Sequence, residues 1–218
     1  MASFKKCAPV ISIVVTMLIA TPASAYTITV GGQAVPGEGL STSVAGASVI
    51  DFNAILSLPN GYIGGLVVNG DLSGQWASPP GDTSNYLTVG AGEDQISPST
   101  VTLITLNKYF GFYGGSPDSY NSIELRRDDV LLETFTGDFL ATQASLAADG
   151  NQSNGAYWNI WADNADEYFN KVSFVSSANA FETDNHAYLS AVPIPAAAWL
   201  FGSALLGIIG FSRRKIAS

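Results

Sequence analysis

The 218-residue chain carries 18 acidic and 9 basic side chains, a formal net charge of −9, with 47% hydrophobic residues and one cysteine. This length accommodates one ordinary domain, and the acidity disfavours nucleic acid and other anionic polymers as partners. A lone cysteine, Cys7, excludes an internal disulfide and a cysteine-cluster metal site.

The N-terminus reads MASFKKCAPVISIVVTMLIATPASAY. Lys5 and Lys6 precede an apolar stretch from Ala8 to Ala20, and Ala23-Ser24-Ala25 supplies small residues for cleavage. This three-part pattern predicts a signal peptide over 1–25, removed by signal peptidase, and export of the chain from Tyr26 onward. All 18 acids fall between residues 26 and 191, against four bases, Lys108, Arg126, Arg127 and Lys171, so that segment stands at −14. Such a charge attracts divalent cations or basic partners.

From Tyr26 the pattern is that of short strands. YTITV (26–30) alternates, and a Gly- and Ser-rich segment, GGQAVPGEGLSTSVAG, follows. Residues 49–52 and 62–68 are further strands, the latter ending at the turn signal Asn69-Gly70-Asp71. GQWASPPGDTSN (74–85) reads as a loop, because Pro79-Pro80-Gly81-Asp82 cannot continue a ladder. Tyr86–Val89 is a brief strand, and VTLITLNKYFGFYGG starts a longer, aromatic-rich one at Val101. Residues 123–126 and 130–136 form a hairpin around Arg127-Asp128-Asp129. Residues 139–148 have a weak helical pattern; 157–161, 167–176 and the region from Phe181 to Tyr188 complete the strands. The expected fold is all-β, a two-sheet antiparallel sandwich of jelly-roll type over 26–191.

The C-terminal stretch VPIPAAAWLFGSALLGIIGFSRRK has 16 residues without a charge, Ala196–Phe211, and 22 counting flanks from Ala191 to Ser212. At ~1.5 Å per residue the longer span crosses a ~30 Å hydrocarbon layer as a helix. Arg213-Arg214-Lys215 would stay on the cytoplasmic side. The expectation is a signal helix and a transmembrane helix (within 192–218) flanking the sandwich, with the domain held outside the inner membrane before sorting.

Val192-Pro193-Ile194-Pro195-Ala196, followed by Trp199-Leu200-Phe201-Gly202-Ser203 and closed by Arg213-Arg214-Lys215, resembles the VPLPA-type PEP-CTERM sorting signal, with Ile194 in place of the usual leucine. The resemblance implies recognition by an exosortase and delivery to the cell surface or extracellular matrix of a Gram-negative bacterium that makes exopolysaccharide. FGFYGGSPDSYNSIELRRDDVLLETFTGD also resembles a domain common among PEP-CTERM exported proteins, with its core at Gly111–Asn121. Gly114 stands where that family often carries tryptophan, and Arg126-Arg127-Asp128-Asp129 departs from its aromatic-Asp-Gly turn. Further similarity lies at 73–90 and 179–195. The resemblance implies a β-sandwich surface protein with no established enzymatic activity.

No cofactor is expected, with a structural calcium ion as the alternative: Asp118 and Asn121, with Asp184, offer hard oxygen ligands, and Asp82, Glu182, Asp184 and Asn185 form a second acidic and amide group. The same residue types also build turns and bond their own backbone. Tyr113, Tyr157, Trp158 and Trp161 are candidates for stacking on exopolysaccharide sugars, or for an aromatic inner face. Catalysis finds little support. His186 is the single histidine and is expected to be solvated or hydrogen-bonded; no nucleophile elbow accompanies it, and carboxylate pairs are unavoidable among 18 acids. The expected role is structural or adhesive, with carbohydrate binding as the alternative.

Overall fold

A computed structural model describes residues 25–54 and 57–191. The chain order is β1 (Tyr26–Val30), β2 (Gln33–Val35), β3 (Gly39–Ser41), β4 (Ser48–Ile50), β5 (Tyr62–Ile63), β6 (Leu66–Asn69), β7 (Asn85–Val89), β8 (Ser99–Gly114), β9 (Asn121–Arg127), β10 (Val130–Thr136), α1 (Gly137–Gln143), β11 (Ala156–Ala162), a 3₁₀ turn (Ala165–Glu167), β12 (Phe169–Ser176) and β13 (Phe181–Ser190). Every strand pairing is antiparallel.

The sixteen residues of β8 serve both layers of the sandwich. Its first part, Ser99–Thr102, lies between β5 and β12, whose far edge carries β9 and then β10. Its second part, from Asn107 to Gly114, lies between β13 and β11; β7 and β6 extend this sheet beyond β13, and β1 closes it beyond β11. Aromatic side chains fill the space between the layers. Phe174 of β12 meets Phe110 and Phe112 of β8 at ring-centroid distances of 6.0 and 5.7 Å, and Tyr26 of β1 meets Phe135 of β10 at 5.8 Å. Trp158, Phe169, Val172 and Leu125 belong to the same buried cluster. Burial of this many large apolar groups, at about 25 cal/mol per Å² removed from water, is the main force holding the layers together.

Local signals account for several boundaries. Thr136 caps α1 by accepting the Phe139 N–H, so the helix spans 137–143, shorter than the 139–148 pattern suggested and shifted towards the N-terminus. The expected strand over 62–68 is instead two, split by Gly64 and Gly65 at φ of 81° and 77°. A Cβ at Gly64 would fall 2.2 Å from the Pro98 carbonyl oxygen, so both the left-handed backbone and the close approach require glycine. The Gly- and Ser-rich segment after β1 is more than a loop: β2 and β3 pair as a separate ribbon over the outer face of the second sheet, with Gly39 against the Tyr113 ring and Thr42 hydrogen-bonded to the Tyr109 hydroxyl.

The fold expectation is corrected at its flanks. The described fold is the sandwich with one seven-residue α-helix, and among the described residues no helix is long and apolar enough to cross a membrane. The expected signal and transmembrane helices, at 1–25 and within 192–218, lie outside the described residues except for Ala25. No described element therefore supplies the inner-membrane anchoring inferred from the sequence.

Candidate functional site

The loop after β6 folds back on itself. Leu72 and Trp76 form a two-way backbone bridge, at 2.9 and 3.0 Å, around Gly74 at φ 75°. This tight turn holds the Trp76 indole half-exposed. The next residue anchors the loop to the sheet, because the Ala77 N–H donates to Glu182 Oε1 at 2.9 Å. Asn179, in the turn before β13, fixes the other wall: its Oδ1 accepts from the N–H groups of Ala91 and Gly92, and its Nδ2 donates to the Gly74 carbonyl at 3.4 Å. The result is a cleft of about 340 Å³ whose walls include Asp71, Gln75, Trp76, Gln152, Asn179 and Glu182. A second hollow of about 350 Å³, bordered by Asn69, Pro79, Pro80 and Thr83, shares Asp71 with it, so the depression is elongated.

Two carboxyls, three amides and one indole line this cleft, and no lysine or arginine does. Glu182 is 7% exposed, and burial, opposed by N–H donors and reinforced by the charges of Asp118 and Asp71, pushes its carboxyl up to about 7. Such walls offer hydrogen-bond donors and acceptors to hydroxyl groups beside one aromatic face. They offer no counter-charge to an anionic ligand.

The residues expected to contact sugar lie elsewhere. Tyr113, Tyr157 and Trp158 are 2%, 0% and 1% exposed. Trp158 lies between the sheets, stacked on Phe112 at 5.2 Å, with its indole N–H donating to the Leu140 carbonyl. Tyr157 and Tyr113 are on the outer face beneath the β2–β3 ribbon, donating to the carbonyls of Asn185 and Pro80. Trp161 is half-buried and packs on Tyr109 at 4.5 Å. This set is therefore corrected: three of the four rings have no face for a ligand. Trp76, inside a stretch read as a loop, borders the 340 Å³ cleft.

Among the described residues, no group of three or more His, Cys, Asp and Glu side chains could hold a metal, and Asp118, Asn121 and Asp184 are engaged with different partners. Asp118 accepts the Tyr120 hydroxyl, and its carboxyl is raised chiefly by burial. Asn121 accepts from Ser176 and donates to the Ala180 carbonyl. Asn121 thereby ties the start of β9 to the end of β12 and to the turn before β13, while Asp118 braces the β8–β9 loop internally. Asp184 is on the outer face of β13, beside Asp82 and Ser84. His186 is hydrogen-bonded and fully buried, not solvated: its ring nitrogens bond the Tyr62 and Thr183 hydroxyls, and burial lowers it to about 3. A neutral, enclosed imidazole with both nitrogens engaged is unavailable to activate a nucleophile at the surface. The described residues contain no cysteine. Val192, Pro193, Ile194, Pro195, Ala196, Arg213, Arg214 and Lys215 lie outside the described residues.

No protein-family model and no curated protein sequence matches the chain. Among solved structures it is similar to the K2 cleaved adhesin domain of Lys-gingipain, at 14% identity and a TM-score of 0.36, over 78% of this chain and 100% of that one. A likeness of that size establishes no shared role.

Proposed function

We propose that this is an exported, non-catalytic adhesive protein of the cell surface or extracellular matrix, and that it holds an uncharged polysaccharide in the Trp76 cleft. The observation that carries this reading is the half-exposed Trp76 indole set among Asp71, Gln75, Gln152, Asn179 and Glu182 in an elongated hollow without a basic residue on the walls of its main cleft. An aromatic face stacks on the apolar face of a pyranose ring, while carboxylates and amides bond its equatorial hydroxyls. The reading of export rests on the three-part signal pattern over 1–25, and that of sorting by an exosortase on the resemblance at Val192–Ala196 and Arg213–Lys215.

The test is titration of the full chain with neutral fractions of the producing cell's purified matrix polysaccharide, followed by tryptophan fluorescence and calorimetry. Trp76→Ala should weaken binding at least about tenfold, equivalent to ~1.4 kcal/mol, with the melting temperature unchanged. Absence of binding by the parent, or equal binding by Trp76→Ala, rejects the carbohydrate reading. Release of reducing ends that disappears in Glu182→Gln would overturn the non-catalytic one.

A further inference from the structure

The outer face of the second sheet holds a polar group beside the second hollow, which Asp82 helps to line. Along β13, Phe181 and Thr183 point into the core while Glu182 and Asp184 point outward. The register then shifts: Asp184 pairs with Tyr113 but Ala187 with Gly111, and the bulge carries Asn185 at φ 49°. The bulge restores His186 to the core and leaves Asp184 and Asn185 beneath the β2–β3 ribbon. Asn185 Nδ2 donates to the carbonyls of Glu38 and Leu40, at 2.8 and 3.1 Å, pinning the ribbon down. The 79–84 loop arrives from the other side, its Asp82 bridged to Glu38.

Asp82, Asp184 and Asn185 are 5%, 0% and 0% exposed. Each leaves one buried oxygen without a hydrogen-bond partner: Asp82 Oδ2, Asp184 Oδ1 and Asn185 Oδ1. The two carboxyls flank the Ser84 hydroxyl, which lies 2.6 Å from Asp82 Oδ1 and 3.4 Å from Asp184 Oδ2. Among the described residues, the salt bridges are Arg126–Glu124 and Lys171–Asp129, so neither carboxyl is paired with a base. Buried acceptors without donors are costly, and like charges in one enclosed space more so. One proton shared between the carboxyls would satisfy that pair and leave the amide oxygen unsatisfied. A cation bound among them would give each oxygen its missing partner.

We propose that Asp82, Asp184 and Asn185 form a calcium site that fastens the β2–β3 ribbon and the 79–84 loop to β13. Two carboxylates and an amide oxygen are hard donors, of the kind calcium takes in sets of six to eight together with backbone carbonyls. The lack of histidine, cysteine or a third carboxylate in the set argues against zinc. Magnesium fits poorly, because it retains several waters in a strict octahedron.

The test uses the full chain after chelation, with calcium chloride or magnesium chloride added back during thermal melts and calorimetric titration. Calcium at about 100-fold over its dissociation constant should raise the melting temperature by roughly 5 °C. Asp118→Asn should keep that response and Asp184→Asn should lose it. Without calcium, Asp184→Asn should melt no lower than the chelated parent, because the substitution removes a buried like charge; this separates loss of the site from loss of the fold. An absent calcium response in the parent, an equal response in Asp184→Asn, or an equal effect of magnesium overturns the proposal.

Discussion

The imidazole of His186 on β13 lies stacked on the ring of Phe174 on β12, with centroids 4.5 Å apart and planes 15° from parallel. The pair joins the two sheets through the centre of the sandwich, and Phe52 and Phe110 approach the same imidazole edge-on at 5.0 and 5.6 Å.

This enclosure makes stability depend on pH in a defined direction. Burial lowers His186 from 6.5 to about 3 in the folded protein. Between these values the unfolded chain binds a proton that the folded one excludes. Stability from this residue is therefore intact above pH 6.5 and declines as pH falls towards 3, by at most about 1.4 kcal/mol per pH unit. Urea unfolding at pH 7 and pH 5 should show the parent losing roughly 2 kcal/mol more than His186→Gln between the two. Equal losses in both proteins would show that the histidine does not carry the effect.

Trp158→Ala should destabilise the domain by about 3–5 kcal/mol, because it empties the space against Phe112 and leaves the Leu140 carbonyl without its indole donor. Trp158→Phe should recover part of the packing and none of the hydrogen bond. Denaturant midpoints measure both. Under conditions where each variant is folded, polysaccharide affinity should match the parent, since the ring is outside the cleft lining.

Gly114→Ala tests how tightly that indole is held. A Cβ at 114 would lie 2.8 Å from Trp158 Cζ3, and the indole is fixed by its stack and its hydrogen bond. The expected cost is about 1–3 kcal/mol in an unfolding titration. The position where the resembled family often has tryptophan is thus occupied in space by an indole from the neighbouring strand. A near-neutral effect would mean that β8 and β11 can separate locally.

Arg127 caps the 3₁₀ turn from a different strand, its Nε donating to the Tyr168 carbonyl at 2.7 Å and an Nη to that of Ala165 at 2.6 Å. The planar fork suits this geometry, and lysine presents a single point donor. Arg127→Lys should cost about 1 kcal/mol, read as a melting-temperature decrease of roughly 2–4 °C. No decrease would show that the fork contributes nothing to stability.

The sequence made the strands legible where apolar alternation was strong. The β9–β10 hairpin was visible because Arg127-Asp128-Asp129 interrupts two alternating runs, and Asp128 does adopt φ 54° between the closing pair Arg127 and Val130. The β2–β3 ribbon was not visible, since three-residue strands without an apolar face carry no periodic signal and gain their order from covering Tyr109, Tyr113 and Tyr157. That same cover encloses Tyr113 and Tyr157: strand alternation cannot show that a ribbon lies over an outer face. Trp76 stood alone among turn-forming residues, and only the partners brought by Asn179 and Glu182 from a distant part of the chain give it a cleft.

The last strand of the sandwich, β13, lies in the interior of its sheet, between β7 and β8, and supplies Phe181 and His186 to the core. A ribosome or translocation channel releases it after everything it must pair with. The second sheet thus has a vacant slot until residues 181–190 emerge, and β1 waits for β11 across more than half the chain. Folding is therefore a terminal event: a chain interrupted before residue 181 retains an open seam down the middle of the domain.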